Sequence, residues 1–105
     1  MEQQPLTQEI KKRLPKLLAQ DGKGDDAIVH VKYFLQSFTW FVLEGEQEPG
    51  GDWRLFCKVY SHMVPDGELG YTMLSELVDA KGQYGGVERD LYFRPTRLGD
   101  ITANS

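Results

Sequence analysis

Ile10, Leu14, Leu17 and Leu18 fall at i, i+4, i+7 and i+8, the spacing that lays one apolar stripe along a helix. Thr7 precedes the stripe and can cap free backbone N–H groups with its hydroxyl, and Glu9 lies in the first turn, where the helix dipole favours negative charge. Pro15 interrupts the stripe, because its ring removes an amide donor and clashes with the turn before it. The pattern predicts a helix near residues 7–13, followed by either a kink or a second short turn, with Gly22 and Gly24 closing the unit.

From Ala27 the period changes to two. Val29, Val31, Tyr33 and Leu35 share one face of a predicted strand, with His30 and Lys32 on the other. Phe38-Thr39-Trp40-Phe41-Val42-Leu43 is apolar on both faces and predicts a central, deeply buried strand joined to the first by a tight Gln36-Ser37 connection. Gly45 to Asp52 reads as an acidic, glycine-rich loop, and Trp53 to Tyr60 as a third strand, with Cys57 a buried small hydrophobe on the Trp53, Leu55 and Val59 alternation. Pro65-Asp66-Gly67 predicts a turn and Glu68–Tyr71 a short fourth strand, handing over at Thr72 to a helix that buries Met73, Leu74, Leu77 and Val78. Gln83 to Gly86 is a second glycine-rich loop, Val87 to Arg94 a last strand ended by Pro95, and Thr96 opens a short final turn. The order predicts one α+β domain over residues 1–105. Its sheet is mainly antiparallel, a meander of about five strands, with an N-terminal helix and a helix before the last strand.

Composition adds limits. A chain of 105 residues and 12.0 kDa, 40% hydrophobic, buries roughly 11,000 Å² on folding, enough to need no disulfide or metal staple. Cys57, the single cysteine, excludes an intrachain disulfide and a multi-cysteine zinc site, and no cofactor is expected. The N-terminal residues carry no secretory pattern and no apolar run is long enough to span a bilayer, so the expectation is a cytoplasmic protein without a membrane partner. A net charge of −4 argues against nucleic acid as the primary partner. The charge is uneven: residues 44–90 hold ten acidic and four basic side chains, and Glu44, Glu46, Glu48 and Asp52 surround Pro49-Gly50-Gly51. Solvated surfaces account for this, as does an acidic face that meets a basic partner. Lys11, Lys12, Arg13 and Lys16 form the one basic cluster through which nucleic acid could bind.

Glu68-Leu69-Gly70-Tyr71 with Leu74-Ser75-Glu76-Leu77, and Gly85 followed by Val87-Glu88-Arg89-Asp90-Leu91-Tyr92-Phe93, resemble the signature of a family of small uncharacterised bacterial proteins. The Thr7 to Pro15 start and the strand pair around Val31 and Trp40 also fit, so the resemblance covers nearly the whole chain, departing at Gly86-Val87. It implies a single-domain protein often encoded on plasmids, phages and integrative elements. The family is a domain of unknown function, and the resemblance transfers no catalytic residue.

On a strand, Glu88, Asp90 and Tyr92 share one face and Arg89, Leu91 and Phe93 the other. The two carboxylates, about 7 Å apart, could bind a divalent cation if Glu76 or Glu68 converged on them. The structural alternative is ion pairing with Arg89, Arg94 or Arg54. His30 and His62 lack the companions of a metal motif, a Cys57–His pair would need an oxyanion donor nearby, and the glycines match no phosphate-binding loop. The leading expectation is a non-catalytic protein-interaction or regulatory partner of a mobile element, with a docking surface made of residues 72–80, 83–86 and 88–93. The residues assigned to it are Tyr71, Glu76, Tyr84, Glu88, Arg89, Asp90, Tyr92 and Arg94. The alternative is a small metal-dependent enzyme using Glu68, Glu76, Glu88 and Asp90; the second alternative is a weak nucleic-acid binder.

Overall fold

A computed structural model describes residues 4–82 and 85–105. The elements run α1 (Gln8–Arg13), β1 (Ile28–Val29), β2 (Val31–Leu35), β3 (Phe38–Gln47), β4 (Trp53–Ser61), β5 (Val64–Met73), α2 (Leu74–Asp79), β6 (Lys81–Gly82), β7 (Gly85–Gly86), β8 (Glu88–Arg89) and β9 (Thr96–Arg97). The main sheet is antiparallel with strand order β5-β4-β3-β2-β8, so β2 to β5 form a meander and β8 adds to its far edge. The protein is α+β. No helix among the described residues is long and apolar enough to cross a membrane.

The first helix starts as its composition dictates: the Thr7 hydroxyl accepts from the Ile10 amide at 3.1 Å. It ends before Pro15 without a kink, and the chain turns at residues 17–20. Leu18 leaves the predicted stripe and is exposed, with φ 71°, an uncommon backbone for a residue with a Cβ.

The central strand is β3, and it is apolar on both sides because the sheet is covered on both sides. On one, the helical face, α1 and α2 bring Ile10, Leu14 and Leu77 onto Val31, Tyr33, Val42, Leu55 and Cys57. On the other, the loop face, residues 17–30 and 93–105 bring Ala27, Val29 and Ile101 onto Phe41, Leu43 and Tyr60. A bulge between Val42 and Glu44 lets Leu43 and Glu44 both serve the loop face. Gly45 then faces α1, where a Cβ would lie 2.5 Å from Leu14 Cδ2, so only glycine lets the helix sit this close.

Three predicted features fall differently. Gly45 is not the start of a loop, since β3 continues to Gln47. The turn before β5 is His62-Met63, and Pro65-Asp66-Gly67 lies within a ten-residue strand. Gly67 does take φ 82°, but at an irregularity where a Cβ would meet the Tyr60 ring at 2.8 Å. Thr72 is a strand residue opposite Leu55 and is not the N-cap of α2, a position that Met73 takes. Instead Asp52 reaches across to the start of α2, accepting from the Ser75 hydroxyl at 2.6 Å and the Ser75 amide at 3.1 Å. The Ser75 hydroxyl is the main reason the Asp52 carboxyl is held below its ordinary value.

Candidate interaction surface

The predicted strand Val87–Arg94 is two residues long. Glu88 lies opposite Phe34 and Arg89 opposite Tyr33, and there the ladder stops. Asp90 ends it by offering the chain a local acceptor: its amide bonds the Lys32 carbonyl at 2.9 Å, and its carboxylate takes the Tyr92 amide at 2.9 Å. The same carboxylate lies 3.6 Å from Lys32 Nζ. Asp90 is thus a turn former held by a lysine, which is the predicted structural pairing with a different cation. The expected alternation of Glu88, Asp90 and Tyr92 does not form, and Leu91 and Tyr92 project into solvent from the turn. Arg94 is exposed beyond it. Arg89 Nε donates to the Gln4 carbonyl at 3.2 Å, tying β8 to the segment before α1.

The other carboxylates lie elsewhere. Glu76, in the first turn of α2, accepts from the Met73 amide at 3.2 Å and caps its own helix. Glu68 is on β5, opposite Val59. Because β5 and β8 are the two edges of the sheet, Glu68 and Glu88 are separated by four interstrand steps, about 19 Å. The four acids proposed as metal ligands therefore do not converge, and the described residues contain no group of three or more His, Cys, Asp and Glu placed to hold an ion. Tyr71 is separated from Glu88 and Arg89 in the same way, so the single predicted docking surface divides into two. Tyr84 lies outside the described residues.

The remaining chemical candidates are spent on structure. Burial pushes the Cys57 thiol up to about 12, and the Thr72 hydroxyl only partly offsets this. His62 bonds Ser37 Oγ at 3.0 Å in solvent. In the basic cluster, Lys11 lies over the Trp53 ring and Arg13 pairs with Glu9 at 3.7 Å. Glu44, counted with the loop acids, is 4% exposed; its carboxylate accepts the Leu18 amide at 2.8 Å and the Gln20 amide at 2.7 Å. Sequence reading missed that role because nothing local marks it: the donors are more than twenty residues away.

What the structure adds is the outer edge of β5. Ten residues long, it has β4 on one side and, among the described residues, no strand on the other. Leu69 and Tyr71 are about half exposed beside it, and Phe38 and Met63 stand exposed nearby. A groove lies inward of the edge on each face, between β5 and β3. On the loop face one of about 190 Å³ runs between Leu69 and Tyr71 on one wall and Leu18 and Leu98 on the other, floored by Leu43 and Phe56. On the helical face another of about 330 Å³ is bounded by Phe38, Trp40, Val59, Glu68 and Gly70. The one available signal was Glu68-Leu69-Gly70-Tyr71 itself, read as a short strand whose edge position only the fold reveals. No family model, curated protein or solved structure matches the chain.

Proposed function

We propose that this chain is a non-catalytic, cytoplasmic protein-interaction module. The observation that carries the reading is the long β5 edge with large apolar side chains left in solvent along it, where Leu69 is 52% and Tyr71 54% exposed. Contiguous exposed apolar surface on a small domain marks a contact site. Tyr71 is a suitable anchor: its ring packs on Phe56 at 5.2 Å and lies 5.9 Å from the Arg54 guanidinium, so it is positioned before any partner arrives. The genetic context implied by the family resemblance would place the partner among host defence or DNA-processing proteins.

The test is a photo-cross-linking amino acid placed at Tyr71, and as a control at Tyr92 on the far edge, in bacteria carrying the gene. The expected result is a defined protein adduct from position 71. Only free monomer from both positions, or a thermal shift with Mg²⁺ or Mn²⁺ in place of any adduct, would overturn the reading.

A further inference from the structure

The two grooves beside β5 differ in chemistry, and the difference specifies an occupant. In the groove on the helical face, Phe38 and Trp40 stack at 5.6 Å with rings 17° apart and form an aromatic wall. Glu68 stands at its rim, exposed and without an ion pair among the described residues. An aromatic wall with a free carboxylate suits the side chain of arginine or lysine, whose stem packs on the rings while its charge meets the acid. The loop-face groove is lined chiefly by apolar side chains, and of its two acids, Asp21 and Glu44, the second is already held by the Leu18 and Gln20 amides. Its outer wall, Leu69 and Tyr71, offers apolar surface to an aliphatic neighbour.

Gly70 sharpens the point. Its φ is not in the left-handed region, and a Cβ there would meet nothing within 4 Å, so neither backbone nor packing demands glycine. What the missing side chain does is leave the helical-face groove open between Glu68 and Thr72.

An extended segment laid against a sheet edge sends alternate side chains to opposite faces. Resting on the interaction reading above, we infer that β5 accepts an extended peptide from a basic partner as a sixth strand, with arginine or lysine passing over Gly70 beside Glu68 into the helical-face groove and alternate aliphatic residues packing against the exposed sides of Leu69 and Tyr71. A second copy of this chain is a poor occupant: Val64–Met73 carries Asp66 and Glu68 and no basic residue, so self-pairing would gather like charges along one edge. Pro65, Asp66 and Glu68 are the residue types that protect an edge from its own kind while leaving it open to a complementary strand.

The test is a titration of the labelled protein with short synthetic peptides, followed by amide chemical shifts and fluorescence polarisation. A peptide alternating arginine and valine should bind and shift β5 amides. One alternating glutamate and valine should not, and a block peptide with all arginines before all valines should bind roughly tenfold more weakly. Gly70→Val should keep the fold, since valine favours strands, and Glu68→Gln changes only an exposed group. Each should weaken the alternating peptide by roughly tenfold. Equal binding of the alternating and block peptides, shifts centred on β8, or undiminished binding by a folded Gly70→Val variant would overturn the inference. If the peptides fail while the cross-linker at Tyr71 still captures a protein, the strand-addition mode is wrong and the interaction reading stands; if both fail, both fall.

Discussion

The two faces of the sheet are closed by different means. On the helical face, α1 and α2 satisfy most of their own backbone, with Asp52 taking the Ser75 amide at the start of α2, and what they bury is apolar, Ile10, Leu14 and Leu77. On the loop face the cover is mostly irregular chain, whose amides and carbonyls need partners wherever water is excluded. Two buried polar side chains supply them. Glu44 holds the Leu18 and Gln20 amides, while Gln20 donates to the Ile28 and Leu43 carbonyls at 2.9 Å each and accepts from the Ile28 amide at 2.6 Å. A helix brings its hydrogen bonds with it; a loop borrows them from the sheet it covers. The loop cover also stops short of β5, which is why the apolar groove lies on that side.

The comparison breaks first on the helical face. Leu77 is 1% exposed, and Leu77→Ala should lower the unfolding free energy by about 3 kcal/mol through lost burial and a residual cavity. Chemical denaturation should show one cooperative transition at a lower midpoint, because α2 has no second anchor as deep. A loss below about 1 kcal/mol would mean that the helix is not part of the cooperative core.

On the loop face, Glu44→Ala should cost about 2 kcal/mol, since two amides lose a charged acceptor. The sharper expectation is spatial. Hydrogen exchange should quicken first at Leu18, Gln20 and Ile28 while β3 and β4 keep their protection. Uniform loss across the sheet would show that the loop cover and the sheet open together, and the proposed difference between the faces would disappear.

Cys57 reports on the same boundary. Lying between Val42 and Gly70 across the sheet, fully buried, its thiol should stay unreactive to a disulfide reagent at neutral pH until the fold opens. The reaction rate should rise in Leu77→Ala, which uncovers the face the thiol occupies, more than in Glu44→Ala. Equal rates would place the opening elsewhere.

How much of this the sequence shows follows from where each partner lies. The Thr7 cap, the α1 stripe as far as Leu14, the Gln36-Ser37 hairpin and the doubly apolar β3 are legible because their causes sit within a few residues. Gln36 takes φ 54° in that hairpin, which nothing in its composition announces. Pro65-Asp66-Gly67 misleads because proline, aspartate and glycine are also the residues an exposed edge strand tolerates. Glu44 and Asp52 look like loop acids, yet one serves residues 18–20 and the other Ser75. At the candidate surface, Glu68 and Tyr71 are legible as residues of interest. Their separation from Glu88 and Arg89, and the grooves beside them, arise from strand order, which no local pattern encodes.

The smallest expected effect is a pH dependence from His30, placed between β1 and β2 where the chain passes from one core cluster to the other. Its amide bonds the Val42 carbonyl at 2.8 Å, while its Nδ1 is buried without a hydrogen-bond partner among the described residues. Burial, with a smaller contribution from Arg13, lowers its pKa from the ordinary 6.5. The side chain shares a polar cleft with Glu9, Arg13, Arg89 and Asp90, so acids and bases both face it. A lowered pKa means that the unfolded chain takes up the proton more readily than the folded one. The neutral ring therefore contributes stability in full above about pH 6.5, and that contribution is lost as the pH falls through the lowered folded value. Asp52 does not intrude, because its own loss comes only on acidification below its ordinary 3.8. Denaturation midpoints measured from about pH 7 to about pH 5 should fall for the natural chain and stay flatter in His30→Asn. A steeper fall in the variant would show that the proton is taken up elsewhere in the cleft, and that the junction between the two faces is not where acid first acts.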